Sequence, residues 1–376
     1  MGAYLTKLFN SSLNACDQYA DIRTREDLVA SIRGARVKIP DLQSMLAHWP
    51  QHVHPEVDRL EKYVQKTLDS VFPEPEEQAR LRKMKASEFA LFTASWWAYA
   101  SFEKLCVVAS LSIWLFVVDD EMDSAEYSSL VDNFTLASKF RQETLKFIAI
   151  SLSRDPTQDV SLLANNRMMK CFEHVGEALK ASYNDRQLSV FAKEVAFFID
   201  MCQEEHKVRL SSALPTPEQY LQRRMGSSAV GICFAITEYA TGINMPEEIM
   251  QSEPIKIIWH ESNIIISIVN DILSIKKEIA QSQADTMVPV LVMKLRSVQA
   301  AVDEATVMVA KSIRRFDAAE QEILDRYASS PETQDMIREY VRACKTACTA
   351  NLNWSLVSAR YQLYCTSTTN GINVVL

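Results

Sequence analysis

Glycine and proline are scarce in this chain: its 376 residues include only 7 Gly and 12 Pro. Long stretches lack both, which excludes the turn-rich alternation of a β sandwich and favours helices. A basic excess is also missing, since Lys and Arg total 40 against 48 Asp and Glu, for a net charge of −8. No basic run is interleaved with aromatics, so a nucleic-acid surface is excluded and any anionic ligand must be held by local cations. The 8 Cys form no CxxC pair, so neither zinc nor a disulfide framework is expected, only the reduced thiols of a cytoplasmic protein. The longest uncharged apolar run, Leu105 to Val118, has 14 residues, too short for a membrane span. No secretory hydrophobic segment is seen, and MGAYLT matches only the permissive myristoylation pattern at Gly2.

What is present is a chain 48% hydrophobic and 23% charged, able to bury a sizeable core. Residues 1–45 are weakly periodic and read as a loosely packed N-terminal segment, with Pro40, Pro50 and Pro55 leading to HPEVDRLEKYVQKTLDSVF. Helical windows follow near 86–99, 104–121, 126–152, 160–184, 187–210, 217–225, 229–241, 247–280, 285–299, 300–327 and 331–364. The tail CTSTTNGINVVL is helix-poor. No repeat or linker divides residues 46–376, so the expectation is an all-α single domain, a bundle whose site is built from facing helices.

Polar groups on those faces are concentrated in two places. In LFVVDDEMDSAE, Asp119, Asp120, Glu121 and Asp123 put four acids in five residues at the end of the apolar run. A spacing of four places Asp119 and Asp123 on one helical face, where both can point at one hard cation such as Mg²⁺. A solvated acidic helix end has the same pattern, although carboxylates gain nothing from the negative end of the macrodipole. In NIIISIVNDILSIKKEIAQ, Asn270, Ser274 and Glu278 form a stripe of amide, hydroxyl and carboxylate, each a possible Mg²⁺ ligand. Taken alone, Asn270 and Ser274 are equally well read as hydrogen-bonded core residues.

Together, Asp119-Asp120-x-x-Asp123 and Asn270-Asp271-x-x-Ser274-x-Lys276-Lys277-Glu278 resemble the two metal-binding motifs of class I terpene synthases. The resemblance extends to Arg224, 46 residues before Asn270, which matches the family's diphosphate-sensing arginine, and to Ser227-Ser228, which resemble the helix break after it. Lys277 matches the lysine before the motif's glutamate, and Arg360-Tyr361 the C-terminal Arg-Tyr pair. The WPQHVHPEVDRLEKYV stretch and the compact length resemble single-domain fungal sesquiterpene synthases. Met122 and Glu121 occupy variable positions of the first motif. Where chain-elongating prenyltransferases carry further aspartates this chain has Asn270 and Ser274, and it has no class II acid-initiated domain.

The resemblance implies a helical bundle around a central cavity and about three Mg²⁺ ions held by Asp119, Asp123, Asn270, Ser274 and Glu278. It implies a diphosphate bound by Arg224, Lys277, Arg360 and Tyr361. A prenyl diphosphate, farnesyl diphosphate first, is the expected substrate of a monomer or homodimer that releases diphosphate and cyclises the carbocation. Geranylgeranyl diphosphate, a prenyltransferase and a non-catalytic helical scaffold are the alternatives, because chain length is set by cavity depth. The carbocation needs apolar walls and π faces. Phe89, Phe92 and Trp96 recur along one helix and Phe116 lies three residues before Asp119. Pocket aromatics at positions like Phe92, Phe116 and Trp354 join Arg224 as the implied catalytic set, although an aromatic stripe is just as often plain core.

Overall fold

The computed structural model describes residues 22–123, 126–155, 157 and 167–376. The first elements are α1 (Arg25–Ile32), β1 (Arg36–Ile39), α2 (Leu42–Met45), α3 (Val57–Val71), α4 (Gln78–Lys85), α5 (Phe89–Trp96) and α6 (Phe102–Asp123). Next come α7 (Phe134–Leu152), α8 (Arg167–Lys170), α9 (Glu173–Ser182), α10 (Asp185–Leu210), α11 (Pro217–Ser227), α12 (Val230–Ala235), α13 (Thr237–Thr241) and α14 (Glu247–Met250). The chain continues through α15 (Glu253–Ala280), α16 (Met287–Leu295), α17 (Val298–Arg326) and α18 (Pro331–Val357) to β2 (Ile372–Val375). The fold is all-α apart from the two short strands.

Helix starts follow local chemistry. Asn184 and Thr216 open α10 and α11 with capping boxes closed by Gln187 and Gln219. Proline sits in the first turn of α11, α15 and α18, where its missing N–H costs nothing. The 28 residues of α15 make a rod about 42 Å long. Its Ile258, Ile264, Ile265, Ile268, Ile272 and Ile275 are buried around much of its circumference, which marks a central helix. It packs along α17 and α18, while α5 lies against α3 and α18, and α10 against α7, α11 and α12. Trp114, Tyr340 and Trp354 are the bulkiest fully buried side chains.

Several boundaries differ from the sequence reading. The expected helix from 126 starts only at Phe134, because Ser128 caps a short 3-10 turn and Asn133 caps α7. The 229–241 and 247–280 windows each split in two, the latter where Ser252 and Pro254 start α15. The last helix stops at Val357 rather than 364: the Ser358 hydroxyl accepts from Arg360 N–H and donates to the Ser87 carbonyl, a local competitor of the helical ladder. The largest correction concerns residues 1–45. Leu28, Val29, Ile32, Val37, Ile39 and Leu42 are buried, and β1 pairs antiparallel with β2, Arg36 opposite Val375 and Ile39 opposite Ile372. The segment is therefore packed from α1 onward, held by a strand partner from the other end of the chain. Residues 1–21, Gly2 among them, lie outside the described residues. No helix among the described residues is long and apolar enough to cross a membrane.

Candidate active site

The apolar α6 delivers the first motif. Asp120 is buried and accepts from Arg360, Nη2 at 3.0 Å and Nη1 at 3.4 Å. Asp119, half-buried, lies within electrostatic reach of Arg224, Lys277 and Arg360. Asp123 is the last residue of α6, and its side chain lies outside the described residues. The helix end needs positive charge, and Arg80 of α4 supplies it. Its guanidinium donates to Glu121 Oε2 at 2.9 Å and to the Val117 carbonyl at 3.3 Å. Phe72 and Tyr127 flank it at 5.0 and 4.7 Å from their ring centroids. A cation at a helix C-terminus offsets both the macrodipole and the crowded carboxylates.

α15 delivers the second motif. Ser274 Oγ donates to Glu278 Oε1 at 2.6 Å and Thr286 Oγ1 donates to Glu278 Oε2 at 2.7 Å. Asn270 is a junction: its Oδ1 accepts from Arg224 Nη2 at 3.1 Å and its Nδ2 donates to the Tyr361 hydroxyl at 2.8 Å. Lys277 Nζ lies 6.0 Å from the Tyr361 ring centroid. Two groups that lie far apart in sequence are therefore brought together, Arg224 with Asn270 and Tyr361, and Arg360 with Asp120. Between Arg224 and α12 the chain breaks: Ser228 leaves α11 and Ala229 takes a left-handed φ of 59°. Asn263 braces the break, donating to the Met225 carbonyl at 2.8 Å and accepting from Ser228 Oγ at 2.8 Å.

A profile of terpene synthase family 2, C-terminal metal binding, matches residues 110–315, from within α6 to within α17. The sesquiterpene cyclase hepA of Aspergillus oryzae is 31% identical over 91% of this chain and 93% of its own length. The chain belongs to the terpene synthase family. Terpene cyclase braA of Annulohypoxylon truncatum is 27% identical over 96% of this chain and 95% of its own. Among solved structures, SVS_A2, a protein from ancestral sequence reconstruction, superposes with a TM-score of 0.70 at 18% identity, covering 86% of this chain and 90% of that one. Germacradien-4-ol synthase from Streptomyces citricolor does so at 0.67 and 16%, covering 82% and 96%. At those identities the likeness is one of fold. As a terpene synthase the protein is a lyase that cyclises a prenyl diphosphate, and metal binding belongs to the matched region.

The electrostatics of this terpene synthase fit both a cation and an anion. Burial, reinforced by the charge of Asp271, pushes the Glu278 carboxyl up to about 7 against the bonds from Ser274 and Thr286. A carboxylate so short of positive partners suits a divalent cation, and its neighbours on the stripe are an amide oxygen and a hydroxyl, both hard oxygen donors. Burial, then the charge of Arg360, holds Lys277 below its usual range while Asp120 and Glu278 pull the other way. The Nε atoms of Arg224 and Arg360 are buried without a hydrogen-bond partner among the described residues. Such orphaned donors call for an acceptor that the protein itself does not supply.

The aromatic residues form one cluster beside these donors. Ring centroids of Phe92 and Phe116 are 5.5 Å apart, Phe92 and Trp354 5.0 Å, and Phe116 and Trp354 5.6 Å. Tyr361 stands nearly perpendicular to Trp354 at 5.6 Å, and Arg360 lies 5.1 Å over Phe116. The Trp354 indole N–H donates to the Ser87 and Glu88 carbonyls, which fixes the ring plane. Sequence reasoning passed over Asn263, Thr286, Tyr220 and Arg80. A signal existed for the first: Asn263 and Ser267 extend the stripe of Asn270, Ser274 and Glu278 backward along one face of α15. Arg80 had no such signal, because its partner Glu121 is 41 residues away on another helix.

Arg80→Ala leaves a half-buried carboxylate and a helix-end carbonyl unpaired, a loss of about 3 kcal/mol. Thermal unfolding should show a melting temperature lower by several degrees, with Arg80→Lys recovering only part, since an ammonium cannot both stack and fork. An unchanged melt for Arg80→Ala would show that the acidic helix end does not depend on this cation.

Proposed function

We propose that this terpene synthase ionises farnesyl diphosphate in the presence of Mg²⁺ and cyclises the resulting cation to a sesquiterpene. The observation that carries the reading is the junction at Asn270, where the second metal motif, Arg224 and Tyr361 meet in one hydrogen-bonded unit. The named activity of the relative hepA, a sesquiterpene cyclase, supports a C15 substrate. Asp119, Asp123, Asn270, Ser274 and Glu278 are assigned to the metal, about three ions in all by the resemblance. Bound there, Mg²⁺ supplies neutralisation of the negative charge that gathers on the departing diphosphate.

The chain's own groups do the rest. Arg224 and Arg360 each offer an unused Nε–H, and Lys277 and the Tyr361 hydroxyl add donors without proton transfer. Burial keeps the Tyr361 hydroxyl protonated by raising its pKa, so it can donate throughout. Phe92, Phe116 and Trp354 are assigned to the cation left behind. They border the same end of the bundle, since Arg360 rests on Phe116 and Tyr361 on Trp354. π faces there stabilise positive charge and exclude water.

Incubating the enzyme with Mg²⁺ and the C10, C15 and C20 diphosphates separately should yield cyclic hydrocarbon or alcohol from the C15 substrate most efficiently. A dominant C20 product, or chain elongation when isopentenyl diphosphate is added, would overturn the assignment. Ionisation and cyclisation should also separate by mutation. Arg224→Ala should lower diphosphate release by roughly 100-fold or more, as for a lost oxyanion donor. Phe116→Ala should cost less turnover but redistribute products, because a cation–π contact of about 0.5–2 kcal/mol is large against branching between cations. Unchanged product ratios would return Phe116 to the ordinary core.

A further inference from the structure

Asp271 lies between two assigned metal ligands in sequence but faces away from them. One residue on from Asn270 turns the side chain by about 100° around α15, toward α11 and α16. Its exposure is 0%. Oδ2 accepts from the Tyr220 hydroxyl at 2.6 Å and from the Met287 N–H at 3.1 Å, the first residue of α16. Those two donors fix the carboxylate plane. Oδ1 has no hydrogen-bond partner among the described residues and points at Arg224, whose Nη2 is 3.7 Å away. Among the described residues Arg224 is the one cationic side chain within 4 Å of this carboxylate.

Tyr220 and Arg224 are four residues apart on α11 and share a face. Asp271 therefore grips one helix twice, through a neutral hydroxyl and through a charge. A second fact gives that grip a purpose. Arg224 Nη2 donates to Asn270 Oδ1, the atom that Asn270 would offer a divalent cation. A guanidinium and a metal ion compete for that oxygen, so Arg224 must release it when the metal site fills. A released, buried guanidinium is poorly placed unless a second anion holds it.

We infer that Asp271 is a positioning residue: it keeps the Arg224 guanidinium at the diphosphate end of the cavity while that group exchanges Asn270 for the diphosphate. The inference rests on the assignment of Arg224 to the diphosphate made above. Asn270 is then the partner that is given up and Asp271 the partner that is kept. Tyr220 and the start of α16 hold the carboxylate, so that its second oxygen stays aimed at α11.

A double-mutant cycle tests it, with kcat and KM measured for farnesyl diphosphate and Mg²⁺ in the wild type, Asp271→Asn, Arg224→Ala and the double variant. Asp271→Asn should lower kcat/KM by roughly 10- to 100-fold, the usual loss for a group that orients a site residue, with most of it in kcat. In the Arg224→Ala background the same change should matter by less than about threefold, because a residue acting through another has nothing left to position. Full multiplication of the two losses would overturn the inference while leaving Arg224 in its role. An Arg224→Ala enzyme with unaltered kcat/KM would instead remove the assignment beneath it. Should Asp271→Asn fail to fold, Tyr220→Phe keeps the ring in place and removes one bond to Oδ2. It should lower kcat/KM by roughly tenfold in the wild type and hardly at all beside Arg224→Ala. A loss of equal size in both backgrounds would overturn the inference on its own.

Discussion

Charge held in a nearly dry space is the constraint on which this site depends, and Asn270 is where it is met. Its amide accepts from Arg224 and donates to Tyr361, which joins α11, α15 and the turn after α18 through one uncharged side chain. Uncharged is the useful property. A carboxylate in that place would pair permanently with Arg224, whereas an amide oxygen can pass from a guanidinium to a cation at modest cost. The charged groups around it are each balanced from another direction: Arg360 by Asp120, Glu278 by the hydroxyls of Ser274 and Thr286, Arg224 by Asp271.

The architecture separates two kinds of work. Polar donors gather where α6, α11, α15 and the end of α18 meet, while Phe92, Phe116 and Trp354 pack into a continuous aromatic wall alongside. Contact between the two is direct, since Arg360 and Tyr361 each rest on a ring of that wall. Leaving-group binding and the shape of the apolar space are thereby mechanically linked through the turn after Val357. The carbonyl of Ser87 adds to the link, because it accepts from both the Trp354 indole and the Ser358 hydroxyl.

What the sequence made legible was whatever lies on a single helix. The faces of α6 and α15, the spacing of Asn270, Ser274 and Glu278, and the all-α class all follow from the 3.6-residue period. The helix break after Arg224 could be placed to within a residue or two, its left-handed position falling on Ala229. Long-range partnerships were illegible for a physical reason: neither Arg360 nor Asp120, 240 residues apart, carries any mark of the other. The same holds for β1, which looks like weak periodicity until β2 pairs with it across nearly the whole chain. Asp271 was hidden by position, since a residue inside a ligand motif is naturally read with the ligands rather than against its own face of the helix.

The central claim is that metal and diphosphate share one site built around Asn270. Calorimetric titration of inorganic diphosphate into the protein, with and without Mg²⁺, measures it directly. Because the protein's cations are already engaged with Asp120, Asp271 and Asn270, diphosphate should bind tightly only when Mg²⁺ is present, and Asn270→Ala should abolish that enhancement. Equal affinity with and without Mg²⁺, or an enhancement that survives Asn270→Ala, would contradict the account.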